Sequence, residues 1–211
     1  MEELLCREIS HFVQQSPLNL FPQGNEPYFE APLIGFAAAD DTQFNDYKQI
    51  IGAFHQTPHE VMQSVFGPTA KAATVISWVL PITEKIRKCN HAENLYPSEA
   101  WAMNRCHGEQ FNLELHRHMV SWLEKQGQRA VIPQLAPGFK IIEDDVVGRA
   151  SSWSERHAAY AAGLGTFSLS DALITPKGIA HRLGSIVTDL RLEPTPRSYP
   201  HFRNNCLYYR N

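Results

Sequence analysis

The chain has 211 residues, of which 43% are hydrophobic and 19% are charged, and its formal net charge is -3 at pH 7. Because Lys and Arg are not in excess, general binding to nucleic acids or acidic membranes is excluded. No apolar run approaches the roughly 20 residues of a membrane-spanning helix, and the acidic, amphipathic start is not a secretory signal. We therefore predict a cytoplasmic protein with a single α/β domain over residues 1–192.

The first part of the chain is predicted to begin with a helix, a strand and a second helix. Apolar residues at helical spacing indicate a helix over residues 1–15, which Pro17 ends. An apolar strand is expected at residues 33–39, and a helix over residues 40–51.

The next two elements have clear local signals. Thr57, Pro58 and Glu60 have the pattern of a helix start, with a capping residue, a proline at the first helical position and a carboxylate at the third. Residues 72–82 are apolar on both faces, which is typical of a central strand in a sheet that is covered on both sides.

A long helix dominates the middle of the chain. It is predicted over residues 98–126, with an interruption at Gly108, and a strand over residues 129–135 follows it. A short helix is then expected over residues 153–162.

The last predicted elements are a hairpin and a tail. The hairpin has strands at residues 172–175 and 181–189, joined around residues 176–178, and residues 193–211 form an extended connector. Because helices and strands alternate without a regular βαβ repeat, we predict an α/β (α+β) fold with a mixed sheet flanked by helices.

The cysteines are scattered. Cys6, Cys89, Cys106 and Cys206 have no paired spacing, and no C-x-x-C occurs. In a cytoplasmic chain this pattern favours free thiols, and a complete iron–sulfur site cannot be built from one such chain with the usual spacing.

The helix over residues 153–162 carries the residues with most chemical potential. His157 and Tyr160 are three residues apart and therefore share one face. Four alanines on the same helix allow either tight packing or the approach of a flat ligand. Glu155 and His157 are the predicted proton-transfer residues, because partial burial can tune either group toward a neutral pKa.

A glycine-containing loop follows this helix and supplies Gly163, Gly165, Thr166 and Ser168. It follows a helix rather than a strand, so it is not a dinucleotide-binding fingerprint. Its amides and hydroxyls could instead bind a phosphate or the polar rim of another ligand.

The returning strand carries two further candidate residues. Arg182 and Ser185 lie on it, and the alternation of a strand places Arg182 and Thr188 on one face and Ser185 on the other.

This segment resembles the epoxyqueuosine reductase-like family of iron–sulfur proteins. The similarity rests on S-E-R-H-A-A-Y-A-A-G-L-G and R-L-G-S-I-V-T-D-L, between residues 153 and 196, and continues weakly through residues 96–133. It implies a nitroreductase-like domain, shared with a cobalamin-processing protein, that binds cobalamin (a corrinoid) and is reduced through two 4Fe-4S clusters. The implied cofactor-binding residues are Tyr160, Gly163, Gly165, Thr166, Ser168, Arg182 and Ser185, and Cys206 is the implied metal residue near the first cluster ligand.

Two departures from the family pattern accompany the resemblance. The aspartate that the reductases place before the helix glutamate, as proposed proton donor, falls near Arg149, where no carboxylate stands. The chain also stops at Asn211, where the iron–sulfur module is expected to begin, so 4Fe-4S clusters are expected only if the native protein extends further.

The expected function is corrinoid-dependent reduction by an oxidoreductase. Its substrate would be a small molecule or a modified nucleoside, with an electron donor protein as partner, no membrane and a possible homodimer. Two alternatives remain open: a non-catalytic protein that holds a corrinoid or another tetrapyrrole, and a reductase that uses FMN.

Overall fold

The computed structural model of the chain describes residues 1–22, 24 and 26–209. Within these residues the helices are α1 (Glu2–Gln15), α2 (Gln43–Ile50), α3 (Pro58–Phe66), α4 (Glu84–His91), α5 (Glu99–Lys125) and α6 (Glu155–Ala161). The strands are β1 (Leu33–Ala38), β2 (Thr74–Pro81), β3 (Ala130–Val131), β4 (Ile141–Asp144), β5 (Gly148–Ser151), β6 (Thr166–Phe167), β7 (Leu173–Ile174) and β8 (His181–Thr188). No helix in the described ranges is long and apolar enough to cross a membrane.

Four strands form the central sheet, in the order β1-β2-β8-β3. Each neighbouring pair is antiparallel, and β2 is buried at every position. The predicted central strand and the α+β class with a sheet between helices are confirmed. The pairing is antiparallel, where a mixed sheet was expected.

Helices cover both faces of this sheet. On one face α2, α3 and α6 pack over β2 residues such as Val75 and Val79. On the other face α1, α4 and α5 pack over their neighbours Ile76 and Leu80. The alternation along β2 therefore supplies two hydrophobic cores, one on each side of the sheet.

The start of α3 has the predicted capping box. The Thr57 hydroxyl accepts a hydrogen bond from the Glu60 amide, and the Glu60 carboxylate accepts one from the Thr57 amide, with Pro58 at the first helical position. The two hydrogen bonds satisfy the backbone amides of Thr57 and Glu60, which have no acceptor within the helix.

Helix α5 is continuous over 27 residues, so the predicted interruption at Gly108 is wrong. A Cβ at this position would lie 2.8 Å from the ring of Phe29. The glycine therefore lets the segment around Phe29 pack closely on the helix rather than breaking it.

The strand predicted over residues 129–135 is shorter in the structure. It is reduced to β3, because Pro133 opens a 3-10 turn over Pro133–Leu135. Proline has no amide hydrogen to donate to a ladder, so the strand cannot continue through it.

The predicted hairpin between residues 172–175 and 181–189 is also wrong. β7 pairs with β6, and β8 pairs with β2 over its full length and with β3 near its end. Both edges of β8 thus have other partners, and a bridge between Thr175 and Gly178 closes the intervening turn.

One hairpin was not anticipated. β4 and β5 pair around a turn in which Oδ1 of Asp144 accepts hydrogen bonds from the amides of Val146 and Val147, at 2.8 and 3.0 Å. This hairpin projects beside α6 and forms one wall of the site described below.

The C-terminal segment, residues 190–209, packs along the domain. The amide of Thr195 donates to the carbonyl of Phe36, and the amide of Phe167 donates to the carbonyl of Phe202, at 2.9 and 2.7 Å. Residues 210 and 211 of the predicted connector lie outside the described residues. The division into a domain and a connector stays a prediction.

Candidate functional site

A cleft with a volume of about 1000 Å³ lies between α2, α6, the β4–β5 hairpin and the C-terminal segment. Aromatic and charged side chains share its walls. They include Tyr47, Gln134, Phe139, Arg149, Arg156, His157, Tyr160, Phe167 and Arg203. Its size falls in the upper part of the range, about 300–1000 Å³, that is typical of small-molecule sites.

Helix α6 places His157 and Tyr160 in this cleft while its alanines face the sheet. Ala158 and Ala161 are buried in the core that α6 shares with the sheet. A Cβ on Gly35 of β1 would lie 2.3 Å from the carbonyl oxygen of Ala162. Tight packing is therefore the role of the alanine face, and a ligand would meet the opposite side of the helix.

His157 is held by several contacts. Its Nδ1 hydrogen-bonds with the Ser154 hydroxyl at 2.8 Å, and its carbonyl accepts a hydrogen bond from the Tyr47 hydroxyl at 3.1 Å. The rings of Tyr47 and Phe167 lie 4.7 and 4.8 Å from the imidazole. Burial lowers the pKa of His157 to about 3. The ring is therefore neutral at pH 7. Its pKa lies well below neutrality, whereas the sequence suggested a pKa near neutrality.

Glu155 shows the opposite shift. Burial raises its pKa to about 8, and the nearby polar groups of Ser185 and Gln134 offset that rise only in part. The amide Nε2 of Gln134 donates to Oε1 at 3.1 Å, while Oε2 is buried without a partner among the described residues. At pH 7 the carboxyl group of Glu155 therefore keeps a proton. Ser154, its neighbour in the chain, lines the cleft.

Ser185 belongs to a buried polar network under α6. Its hydroxyl accepts a hydrogen bond from Nε1 of Trp153 at 2.9 Å, and its amide donates to Nε2 of His116 at 3.2 Å. Nδ1 of His116 must then carry the hydrogen that it shares with the carbonyl of Asn112, at 2.6 Å. Burial lowers the pKa of His116 to about 4, which keeps this ring neutral.

His116 was not identified from the sequence as part of a site. Its one usable signal is the spacing of four residues from Asn112, which puts both on the same face of α5. The contact between that face of α5 and the sheet joins residues that are far apart in the chain, so the sequence does not reveal it.

The loop after α6 is packed rather than open to the cleft. The Thr166 hydroxyl accepts a hydrogen bond from the Asn205 amide at 2.9 Å, and the Ser168 hydroxyl accepts one from the Ala172 amide at 3.1 Å. A Cβ at Gly165 would lie 2.4 Å from the carbonyl oxygen of Ile174.

Gly163, which ends α6, has a φ of 74°. This left-handed backbone conformation favours glycine. The cleft lining includes Phe167 but not Gly163, Gly165, Thr166 or Ser168.

Arg182 and Cys206 lie apart from the cleft. Arg182 forms an ion pair with Glu109 and donates to the carbonyl of Arg105, on the α5 side of the sheet. Ser185 faces α6, on the opposite side of the sheet from Arg182, as the alternation along the strand predicted. Cys206 is a buried free thiol.

The structure thus brings His157 and Tyr160 together in the cleft, with Glu155 behind Gln134. It does not bring the loop residues, Arg182, Ser185 or Cys206 to the same cavity. The assignment of these residues to a cofactor stays a prediction.

The molecule defined by this sheet and cleft is an α+β protein with helices on both faces of the sheet. An epoxyqueuosine reductase, in selenomethionine-labelled form, is similar with a TM-score of 0.51 and 14% identity, covering 92% of this chain and 47% of that chain. An epoxyqueuosine reductase from Streptococcus thermophilus is similar with a TM-score of 0.49 and 15% identity, covering 92% and 47%. An epoxyqueuosine reductase with a tRNA-Tyr epoxyqueuosine-modified stem loop has a TM-score of 0.46 and 14% identity, covering 92% and 46%.

The similarity at a TM-score of 0.51 shows a shared fold. The chain spans about half the length of each of the three structures, 46–47%. No protein-family model and no curated protein sequence matches this chain.

Proposed function

We propose that this chain is the ligand-binding part of an epoxyqueuosine reductase-like redox protein, and that its cleft binds a corrinoid. The observation that carries the proposal is the cleft of about 1000 Å³ beside α6, in a chain whose fold matches an epoxyqueuosine reductase over 92% of its length. A small molecule or a modified nucleoside would be the substrate, and a separate protein would supply electrons.

The lining of the cleft fits a flat ligand with a polar rim. Tyr160 and Phe167, whose ring centroids are 5.4 Å apart, offer aromatic surface on one wall. Gln43 and Gln134 offer amide donors and acceptors. A corrinoid presents a flat ring edged with carboxamides, so its chemistry matches both kinds of lining.

A bound corrinoid would supply a cobalt centre for reductive chemistry. This chain would bind and orient the ring through Tyr160 and hold a proton on Glu155 near pH 7. Gln134 donates to Glu155 and lines the cleft, so Glu155 would fix the orientation of the Gln134 amide toward the ligand.

A 4Fe-4S cluster does not fit the residues that the structure describes. No group of three or more His, Cys, Asp or Glu residues in ranges 1–22, 24 and 26–209 is arranged to hold a metal ion. Four cysteine ligands are the usual requirement of such clusters. No electron-transfer step through a cluster is therefore assigned to this part of the chain.

The second candidate function is a protein that holds a corrinoid or another tetrapyrrole without reducing a substrate. Arg149 favours it, because this arginine lines the cleft where the resemblance places the proton-donating aspartate of the reductases. Turnover with a chemical reductant would separate the two candidates.

The test is an absorbance titration of the purified chain with cob(II)alamin, with FMN in a parallel titration. We expect a saturable change to the base-off spectrum, and Tyr160→Ala should weaken binding about tenfold, since a buried aromatic contact is worth roughly 1–2 kcal/mol. Tyr96→Ala is the matched control, because Tyr96 is 75% exposed and lies outside the cleft. Tight FMN binding without a cobalamin response would replace the corrinoid with a flavin, and silence with both ligands would refute the proposal.

A further inference from the structure

Arg203 lines the cleft, and its guanidinium forms no ion pair with a residue that the structure describes. Its guanidinium carbon lies 4.9 Å from the ring centre of Phe202 and 4.5 Å from that of Tyr209. Its Nε is buried without a hydrogen-bond partner, and none of its side-chain nitrogens forms a hydrogen bond or ion pair with a residue that the structure describes. A buried donor in this state costs free energy until an acceptor reaches the group.

The other charged groups of the cleft do not neutralise Arg203. Arg156 donates from Nη1 to the carbonyl of Asp171 at 2.7 Å, and Arg149 lies 3.8 Å from Glu143. Asp46 and Asp171 also line the cleft, and within the described part of the chain neither carboxylate forms an ion pair with any of the three arginines. The lining therefore carries three arginines against two aspartates.

We propose that Arg203 binds a phosphate group of the ligand that occupies the cleft. The two aromatic rings hold the guanidinium plane, and this leaves its N–H groups pre-oriented for a bidentate contact with an oxyanion. The inference rests on the proposed function for the location of the ligand. It goes further by naming an anionic group of that ligand and the residue that recognises it.

Two ligands considered for this cleft supply the same phosphate chemistry. Cobalamin has a phosphodiester in its nucleotide tail, which cobinamide lacks, and FMN has a phosphate monoester, which riboflavin lacks. Each pair differs at the group that Arg203 is proposed to contact, so the pairs also distinguish the source of the phosphate.

The experiment measures the affinity of the wild-type chain, Arg203→Gln and Arg203→Lys for both pairs and for inorganic pyrophosphate. Arg7→Gln is the control, because the Arg7 side chain is 78% exposed on α1, outside the cleft. We expect Arg203→Gln to weaken the binding of the phosphate-bearing ligand and of pyrophosphate about ten- to a hundredfold. The affinity for the ligand that lacks phosphate should change about twofold or less. Arg203→Lys should recover part of the loss, since it keeps the charge without the fork.

The outcomes separate this inference from the proposed function. Equal weakening of both members of a pair, or no weakening, overturns the role of Arg203, and so does a wild-type chain that does not bind pyrophosphate. Binding of pyrophosphate through Arg203, without binding of cobalamin or FMN, supports the anion site and refutes the corrinoid proposal. Circular dichroism of each variant verifies that it is folded.

Discussion

Glu155 is a single residue whose burial should be measurable through the pH dependence of stability. Its pKa rises to about 8 in the folded chain because the carboxyl group is desolvated. Between its unfolded value and pH 8 the folded state therefore holds a proton that the unfolded state releases. The free energy of unfolding must then fall as pH rises through this window, and be largest below it.

We expect Glu155→Gln to remove this dependence, because the amide is neutral at every pH. Between about pH 4.5 and pH 8 the free energy of unfolding of the wild-type chain should fall by as much as about 4 kcal/mol relative to that of Glu155→Gln. Urea denaturation of both chains at pH 5 and pH 8 measures the difference. Glu143→Gln is the control, because the Glu143 side chain is 76% exposed. A wild-type chain that gains stability relative to Glu155→Gln as pH rises would contradict the assigned burial.

At the scale of elements, the contact between β1 and α6 depends on the absence of a side chain. Gly35 lies against the carbonyl of Ala162, at the end of α6. Backbone atoms cannot move aside as the end of a flexible side chain can. The position of α6, and with it that of His157 and Tyr160 in the cleft, therefore depends on this glycine.

Gly35→Ala should destabilise the protein by about 2 kcal/mol or more, since the added methyl group meets backbone at 2.3 Å. For a chain of this size, the midpoint of thermal unfolding should fall by about 5 °C. Gly24→Ala is the matched control, because a Cβ there meets nothing within 4 Å. Equal midpoints for the two variants would show that α6 can shift on the sheet at little cost.

At the scale of the whole molecule, buried histidines set the response to acid. Burial lowers the pKa of His55 and His116 to about 4, that of His157 to about 3, and that of His181 below its usual value. Unfolding lets these rings bind protons below about pH 6.5. Their contribution to stability is present above that pH and is lost as pH falls toward the folded values.

The histidines and Glu155 act in opposite directions, so the stability of the wild-type chain should be greatest near pH 7. Around pH 5.5 His55, His116 and His157 would take up nearly three protons on unfolding while Glu155 releases about one, a net uptake of about two, which corresponds to a loss of about 2–3 kcal/mol per pH unit. His181, whose pKa is also lowered, acts in the same direction. Urea denaturation between pH 5 and pH 8 gives the profile. A profile that is flat from pH 5 to pH 7 would show that the rings are accessible to protons in the folded state.

Local patterns were sufficient for the elements that depend on neighbouring residues. The capping box at Thr57 and the buried strand at residues 74–81 follow from spacing and apolar content, because hydrogen bonding and burial at these positions are set within one turn or one strand. The sequence by itself therefore determined the α+β class and placed His157 and Tyr160 on one helix.

Only the tertiary structure decided which residues share a cavity. Gly108 lies inside a continuous helix and β8 pairs with β2, because packing partners far along the chain outweigh local preferences. Arg203 reaches the cleft because the C-terminal segment returns across β6, and Glu155 becomes a proton holder because the fold removes its carboxyl group from water. Both properties come from long-range contacts and desolvation, which spacing along a sequence does not encode.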